Sequence, residues 1–104
     1  MSPRPDIVCI CGSMRFAREI RELAARLTLD GVIVLAPGEI ALVHGTGPTD
    51  EQKESLDALH RSKIDLADRV VVVNPGGYVG DATRGEIAHA RSMGKPVCFT
   101  EPCP

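Results

Sequence analysis

Arg69-Val-Val-Val-Val-Asn74-Pro-Gly-Gly-Tyr-Val-Gly80-Asp-Ala-Thr-Arg-Gly-Glu86-Ile-Ala-His-Ala90 carries the clearest fold signal in the chain. Val70 to Val73 form an unbroken apolar run, the signature of a strand covered on both faces in a parallel sheet. The glycine-rich link that follows leads into a segment where Thr83, Glu86, Ile87, Ala90 and Met93 recur at the helical period and should share one inward face. Open α/β sheets place their ligand crevices outside the carboxyl ends of the strands, so Glu86 should border a pocket. Thr83-Arg-Gly-Glu86 also fits a capping box, in which the carboxylate merely bonds a backbone N–H. The residues of this segment leave both readings open.

The rest of the chain repeats the strand-then-helix unit. Asp6 to Cys11 reads as the first strand, followed by a helix over residues 14–29 with Phe16, Ile20, Leu23 and Leu27 inward and Arg18, Glu19, Glu22 and Arg26 mostly outward. Glu22 and Arg26 have the spacing of a surface pair. Gly31 turns the chain into a second strand, Val32 to Ala36, which Pro37-Gly38 stops. The long connection to Thr49, with Ile40 to Val43 and then His44-Gly-Thr-Gly-Pro48, reads either as a pocket lid or as a short extra element with a flexible tip. Thr49-Asp-Glu-Gln52 is a capping-box signature for a helix reaching Ala67, with Asp50 and Glu51 complementing the macrodipole. After the strand over residues 69–74 come a helix over 82–93, Gly94 as its stop, and a last strand from Pro96 to Thr100.

Right-handed crossovers then predict an α/β fold with a small doubly wound parallel sheet. It should be a three-layer flavodoxin-like or Rossmann-like domain with strand order 2-1-3-4. Residues 1–5 are expected to be a disordered tail and residues 6–104 one domain, since 104 residues with 43% hydrophobic content can supply one core.

Composition narrows the partners. Twelve basic against fourteen acidic residues give a net charge of −2, which supplies no field for a nucleic-acid polymer or an anionic membrane. Three aromatic residues are too few for stacking platforms along single-stranded nucleic acid. No apolar run approaches the ~20 residues that span a bilayer, and Met1 to Asp6 lacks a signal-peptide core, so a cytoplasmic location is expected. Cys9 and Cys11 are separated by one residue on a strand, outside any Cys-x-x-Cys turn. No metal and no cofactor is therefore expected, and Cys9, Cys11 and Cys98 are read as core residues, with Cys103 exposed.

In the expected order, strands one and three are neighbours, so the Gly12-Ser13 turn should lie beside the loop from Asn74 to Gly85. Gly12 permits close approach, helix-terminal N–H groups point outward, and Ser13 and Arg15 add donors, a combination suited to an anion. Ser13 as a plain N-cap with Arg15 in solvent is the competing reading. There is no Walker A loop and no complete Gly-x-Gly-x-x-Gly motif.

Cys11-Gly-Ser-Met-Arg15, Ala67-Asp68-Arg-Val-Val-Val-Val73 and Gly80-Asp-Ala-Thr-Arg-Gly-Glu86-Ile-Ala-His-Ala90, in that order, resemble the nucleoside 2-deoxyribosyltransferase-like superfamily, which includes 5′-monophosphate N-glycosidases. The resemblance covers roughly residues 6–98. It implies that Glu86 matches the nucleophilic glutamate that attacks the anomeric carbon, that Thr83 lines the sugar, and that Gly12, Ser13 and Arg15 match the loop that holds a 5′-phosphate. The implied partner is a small-molecule nucleotide or nucleoside, bound by a homodimer or higher homo-oligomer that completes its sites across subunits.

The chain also departs from that family. Eight residues before Asp68, where the family carries an aspartate facing the ribose or base, stands His60. It shares a helical stripe with Leu56, Ile64 and Ala67, which points it inward as an acid or hydrogen-bond donor, or as a satisfied core histidine. Asp57 and Asp65 are weaker substitutes for the missing carboxylate. Cys9 stands where some phosphate-specific members have tyrosine, and contacts from the family's C-terminal strand and helix are not expected before Pro104. Asp81 can orient a ribose hydroxyl or cap its helix, Tyr78 can cover a base or meet another subunit, and His89 should lie on the polar side without a role. Two functions follow: cleavage or transfer at an N-glycosidic bond through Glu86, or a nucleotide-binding module without turnover.

Overall fold

The computed structural model describes residues 4–39 and 47–101. The stretch from Ile40 to Thr46, proposed above as a lid or extra element, lies outside the described residues, as does Cys103. The described elements are β1 (Ile7–Cys11), a 3-10 turn (Met14–Phe16), α1 (Ala17–Leu29), β2 (Ile33–Leu35), α2 (Asp50–Leu66), β3 (Arg69–Val72), a second 3-10 turn (Pro75–Gly77), α3 (Asp81–Ser92) and β4 (Val97–Phe99). The sheet they form is parallel throughout, in the order β2-β1-β3-β4. This is the doubly wound α/β arrangement expected from the sequence.

Period-two alternation along the two central strands divides the core between the faces. Cys9, Cys11, Val70 and Val72 point to one side, where Ile64 and Ala67 of the α2 end and Ile87 and Ala90 of α3 cover them. Val8, Ile10, Val71 and Val73 point to the other, against Ile20 and Leu23 of α1. Thus β1 and β3 need no polar alternation, because helices cover both of their faces. The capping box of α2 is formed: Gln52 N–H donates to Thr49 Oγ1 at 3.2 Å and Thr49 N–H donates to Gln52 Oε1 at 2.9 Å. No helix among the described residues is long and apolar enough to cross a membrane.

Four local expectations are corrected. The first helix starts as a 3-10 turn, because Ser13 Oγ accepts from Arg15 N–H and tightens the chain before α1 begins. The surface pair on α1 is Arg18 with Glu22, at 3.1 Å, instead of Glu22 with Arg26. Met93 caps the end of α3 and is half exposed, since the helix stripe has already left the sheet there. Cys98 is exposed, unlike Cys9 and Cys11: β4 is an edge strand, and α3 packs on its other face.

Two polar clusters fix the ends of the strands. At the amino end, Asp68 accepts two hydrogen bonds from Arg4, at 2.6 and 2.8 Å, and one from Ile7 N–H at 2.9 Å, tying the start of β1 to the approach to β3. At the carboxyl end, buried Asn74 donates through Nδ2 to Glu101 O and accepts at Oδ1 from Glu101 N–H and Thr100 Oγ1. Asn74 thereby holds the exit of β3 against the exit of β4 and sets where the link to α3 begins.

The Arg4 hydrogen bond and the Ile7 N–H hold the Asp68 carboxyl below its ordinary value. A carboxyl whose pKa is depressed on folding adds stability that is complete above its unfolded pKa and lost as pH falls through the folded one. Asp68→Asn should therefore lower the urea midpoint at neutral pH, with the difference from the parent shrinking as the pH falls below the ordinary aspartate range. Equal destabilisation at every pH would contradict this linkage.

Candidate active site

The carboxyl ends of β1 and β3 open onto a largely apolar cavity of about 890 Å³, within the ~300–1,000 Å³ usual for small-molecule sites. Its walls come from the turn after β1 (Gly12, Ser13, Met14), the segment after β2 (Pro37, Gly38, Glu39), one face of α2 (Lys53, Leu56, Asp57, His60, Lys63) and the start of α3 (Gly80 to Thr83, with Glu86). Segments distant in sequence converge because parallel strands put all their carboxyl ends at one edge.

Glu86 lies on the second turn of α3, and the capping-box reading of Thr83-Arg-Gly-Glu86 fails. The helix starts earlier, at Asp81, with Gly80 as N-cap and no side-chain cap bond. Thr83 is buried within the first turn and lines the cavity, so its helical geometry aims Glu86 inward as well. The Glu86 side chain is 14% exposed. Its Oε1 is buried and makes no hydrogen bond among the described residues, with His60 Nε2 at ion-pair distance, 3.5 Å. An unsatisfied carboxylate oxygen facing a cavity is costly for stability, which makes it an indicator of function. Burial pushes the Glu86 carboxyl up, with His60 acting in the opposite direction.

His60 is 6% exposed and faces inward, as its stripe predicts. Its Nε2 stands 3.6 Å from Cys9 Sγ and 3.4 Å from Cys11 Sγ. Burial opposes the imidazolium, but the Cys9 contact and then the charge of Glu86 outweigh it, and the His60 pKa is raised. The two thiols titrate together. A hydrogen bond from Cys11 brings Cys9 down to about 5, against burial, while the same bond and burial push Cys11 up. The sequence reading treats both cysteines as packing residues. The detectable signal for more was their i, i+2 spacing, which turns both sulfurs toward the helix layer that carries His60.

The remaining candidates divide. Gly12, Ser13, Asp81 and Thr83 line the cavity, whereas Arg15 and Tyr78 are not among its lining residues. The Arg15 guanidinium lies over the Tyr78 ring, 4.0 Å from its centroid, and Phe16 meets the same ring edge-on at 5.9 Å. Asp57 lines the cavity, but Asp65 pairs with His89 at 2.8 Å between α2 and α3, which gives His89 a structural role. Lys53, Lys63 and Arg21 also line the cavity and were not singled out from the sequence. For the lysines a signal existed, because positions 53, 56, 57, 60 and 63 share one α2 stripe. Lys63 Nζ donates to Ala36 O at 2.8 Å, and Arg21 pairs with Glu39 at 2.9 Å.

Gly12 permits close approach, but to the backbone of a neighbouring strand end. A Cβ there would lie 3.0 Å from Val73 O and 3.4 Å from Ile20 Cδ1. Gly12→Ala should lower stability by about 1–3 kcal/mol in urea denaturation, the usual cost of overpacking. Unchanged stability would show that the turn shifts freely.

No family model matches the chain, and no curated protein sequence does. Among solved structures it is similar to a 2-deoxyribosyltransferase from the psychrotolerant bacterium Bacillus psychrosaccharolyticus, described as a biocatalyst for nucleoside synthesis. The TM-score is 0.70 and the identity 17%, over 94% of this chain and 77% of that one. The chain therefore shares its fold with that enzyme.

Proposed function

We propose that this protein cleaves or transfers at the N-glycosidic bond of a nucleoside or nucleoside 5′-monophosphate, with Glu86 as nucleophile. The observation that carries the reading is the buried Oε1 of Glu86, which has no hydrogen bond among the described residues and is aimed from α3 into a cavity large enough for a nucleoside. The similarity in fold to a 2-deoxyribosyltransferase supports it. Breaking the bond between sugar and base builds positive charge on the anomeric carbon, which a carboxylate stabilises or captures covalently. Water completing the second step gives a hydrolase, and a second base gives a transferase. His60 acts as a positioning residue, its charge and ring holding Glu86 in place. The reading carries with it a cytoplasmic protein working as a homodimer or larger homo-oligomer.

Gly12, Ser13 and Arg15 form the 5′-phosphate subsite in this reading, with Thr83 and Asp81 toward the sugar and Tyr78 beside the rim. To reach a phosphate, Arg15 must leave the Tyr78 ring. An exposed cation–π contact contributes about 0.5–1 kcal/mol, whereas a hydrogen bond to a charged group contributes about 1.5–3 kcal/mol, so the exchange is favourable. Arg15→Ala should raise KM for nucleoside monophosphates with little change in kcat, and leave free nucleosides unaffected. Equal losses on both substrate types would remove Arg15 from the phosphate subsite.

The decisive assay incubates the protein with a panel of ribo- and deoxyribonucleosides and their monophosphates, with and without an acceptor base, and measures released base by chromatography. Glu86→Ala should lower the rate by about 10³-fold or more, the scale on which removal of a nucleophile acts. Its circular dichroism should stay that of the parent, so that the loss is one of chemistry and not of folding. The stacking of Arg15 away from the cavity favours a second reading, a nucleotide-binding module without turnover. Saturable binding by calorimetry with no base released across the panel would establish that module instead.

A further inference from the structure

Cys9, Cys11 and His60 bring two sulfurs and one imidazole nitrogen within 4.8 Å of one another, all three residues buried. In a tetrahedral zinc site, with Zn–S of ~2.3 Å and Zn–N of ~2.0–2.1 Å, neighbouring sulfur and nitrogen ligands stand roughly 3.5 Å apart. The two sulfur–nitrogen distances here are 3.6 and 3.4 Å. The nearby carboxylate fits as well: Glu86 Oε1 is 3.5 Å from the same Nε2 and has no hydrogen bond among the described residues. The scaffold is rigid, because both cysteines sit on the central strand β1 and His60 on the helix packed against it. His60 and Glu86 line the cavity, and the fully buried Cys9 and Cys11 stand directly behind His60. Two thiolates with an imidazole select a thiophilic cation over magnesium or calcium.

We propose that Cys9, Cys11 and His60 form a zinc site at the floor of the cavity, and that bound zinc takes Glu86 Oε1 as its fourth ligand and withdraws it from the sugar. The site would make the protein zinc-inhibited. This second half rests on the N-glycosidic reading, and the first half does not.

The test uses the full chain, stripped with chelator and reduced, and titrated with Co²⁺ and then Zn²⁺. One equivalent of Co²⁺ should produce thiolate-to-cobalt charge-transfer absorption with the intense visible bands of tetrahedral cobalt, and Zn²⁺ should displace it. Cys9→Ala and Cys11→Ala should each weaken zinc binding by about 100-fold or more, since loss of a mere supporting partner already costs about 10–100-fold. Zinc inhibition of base release, scaled to each variant's own metal-free rate, should weaken in parallel. Should either cysteine variant fail to fold by circular dichroism, His60→Gln at the cavity wall provides the same comparison. Absence of the charge-transfer band, or undiminished binding in the folded variants, would overturn the site. Zinc bound there without effect on base release would overturn the capture of Glu86. A protein that releases no base at all but shows the cysteine-dependent cobalt spectrum would keep the site and lose the N-glycosidic function.

Discussion

The parallel pairing of β1 with β3 is the constraint on which the rest depends. It sets Cys11 beside Val72, continues past the strands in a hydrogen bond from Val73 N–H to Cys11 O at 2.8 Å, and brings Val73 O close to the α-carbon of Gly12, where a Cβ would lie 3.0 Å from it. The turn after β1 and the link after β3 consequently emerge side by side. From that edge one leads through Ser13 into α1, and the other through Asn74 and Gly80 into α3. A slip of one residue would exchange the two core faces and turn the cysteines away from His60.

Chemistry collects on the side of the sheet covered by α2 and α3. On that face the core formed by Ile64, Ala67, Val70, Val72, Ile87 and Ala90 also contains Cys9 and Cys11, level with the two valines, and His60 and Glu86 adjoin them. Moving from Ile64 one turn back along α2 replaces a fully buried aliphatic group with an imidazole. Removal from water magnifies the mutual effects of these groups. Burial opposes charge on Glu86 and His60, and each favours the charged form of the other. Keeping the Glu86 and His60 side chains in an apolar surround is costly unless they offset each other.

The turn after β1 makes a different kind of contact. Arg15, Phe16 and Tyr78 form a small stack at the exit of the sheet, joining the turn before α1 to the link before α3. Ser13 is already engaged in shaping its turn, so its free donor capacity is the hydroxyl proton. Nothing in this corner is as constrained as the Glu86 cluster. The Arg15 contact is an exposed one, of the weaker kind.

The order of strands, the faces of α1 and α2 and the inward aim of Glu86 and His60 were legible in the sequence. Unbroken apolar runs, helical stripes and right-handed crossovers act through local geometry and need no knowledge of distant contacts. Local pattern did not resolve the true start of α3 or the stack of Arg15 on Tyr78, and it assigned a core place to Cys98 on an edge strand. Which donors share one point in space was beyond it too, because Cys9, Cys11, His60 and Glu86 come from three elements whose approach is set by packing. The sequence by itself determined that a carboxylate and an imidazole would point inward, toward the sheet. Only the tertiary structure decided that two sulfurs would meet them there, because pairing and helix packing alone fix distances between residues remote along the chain.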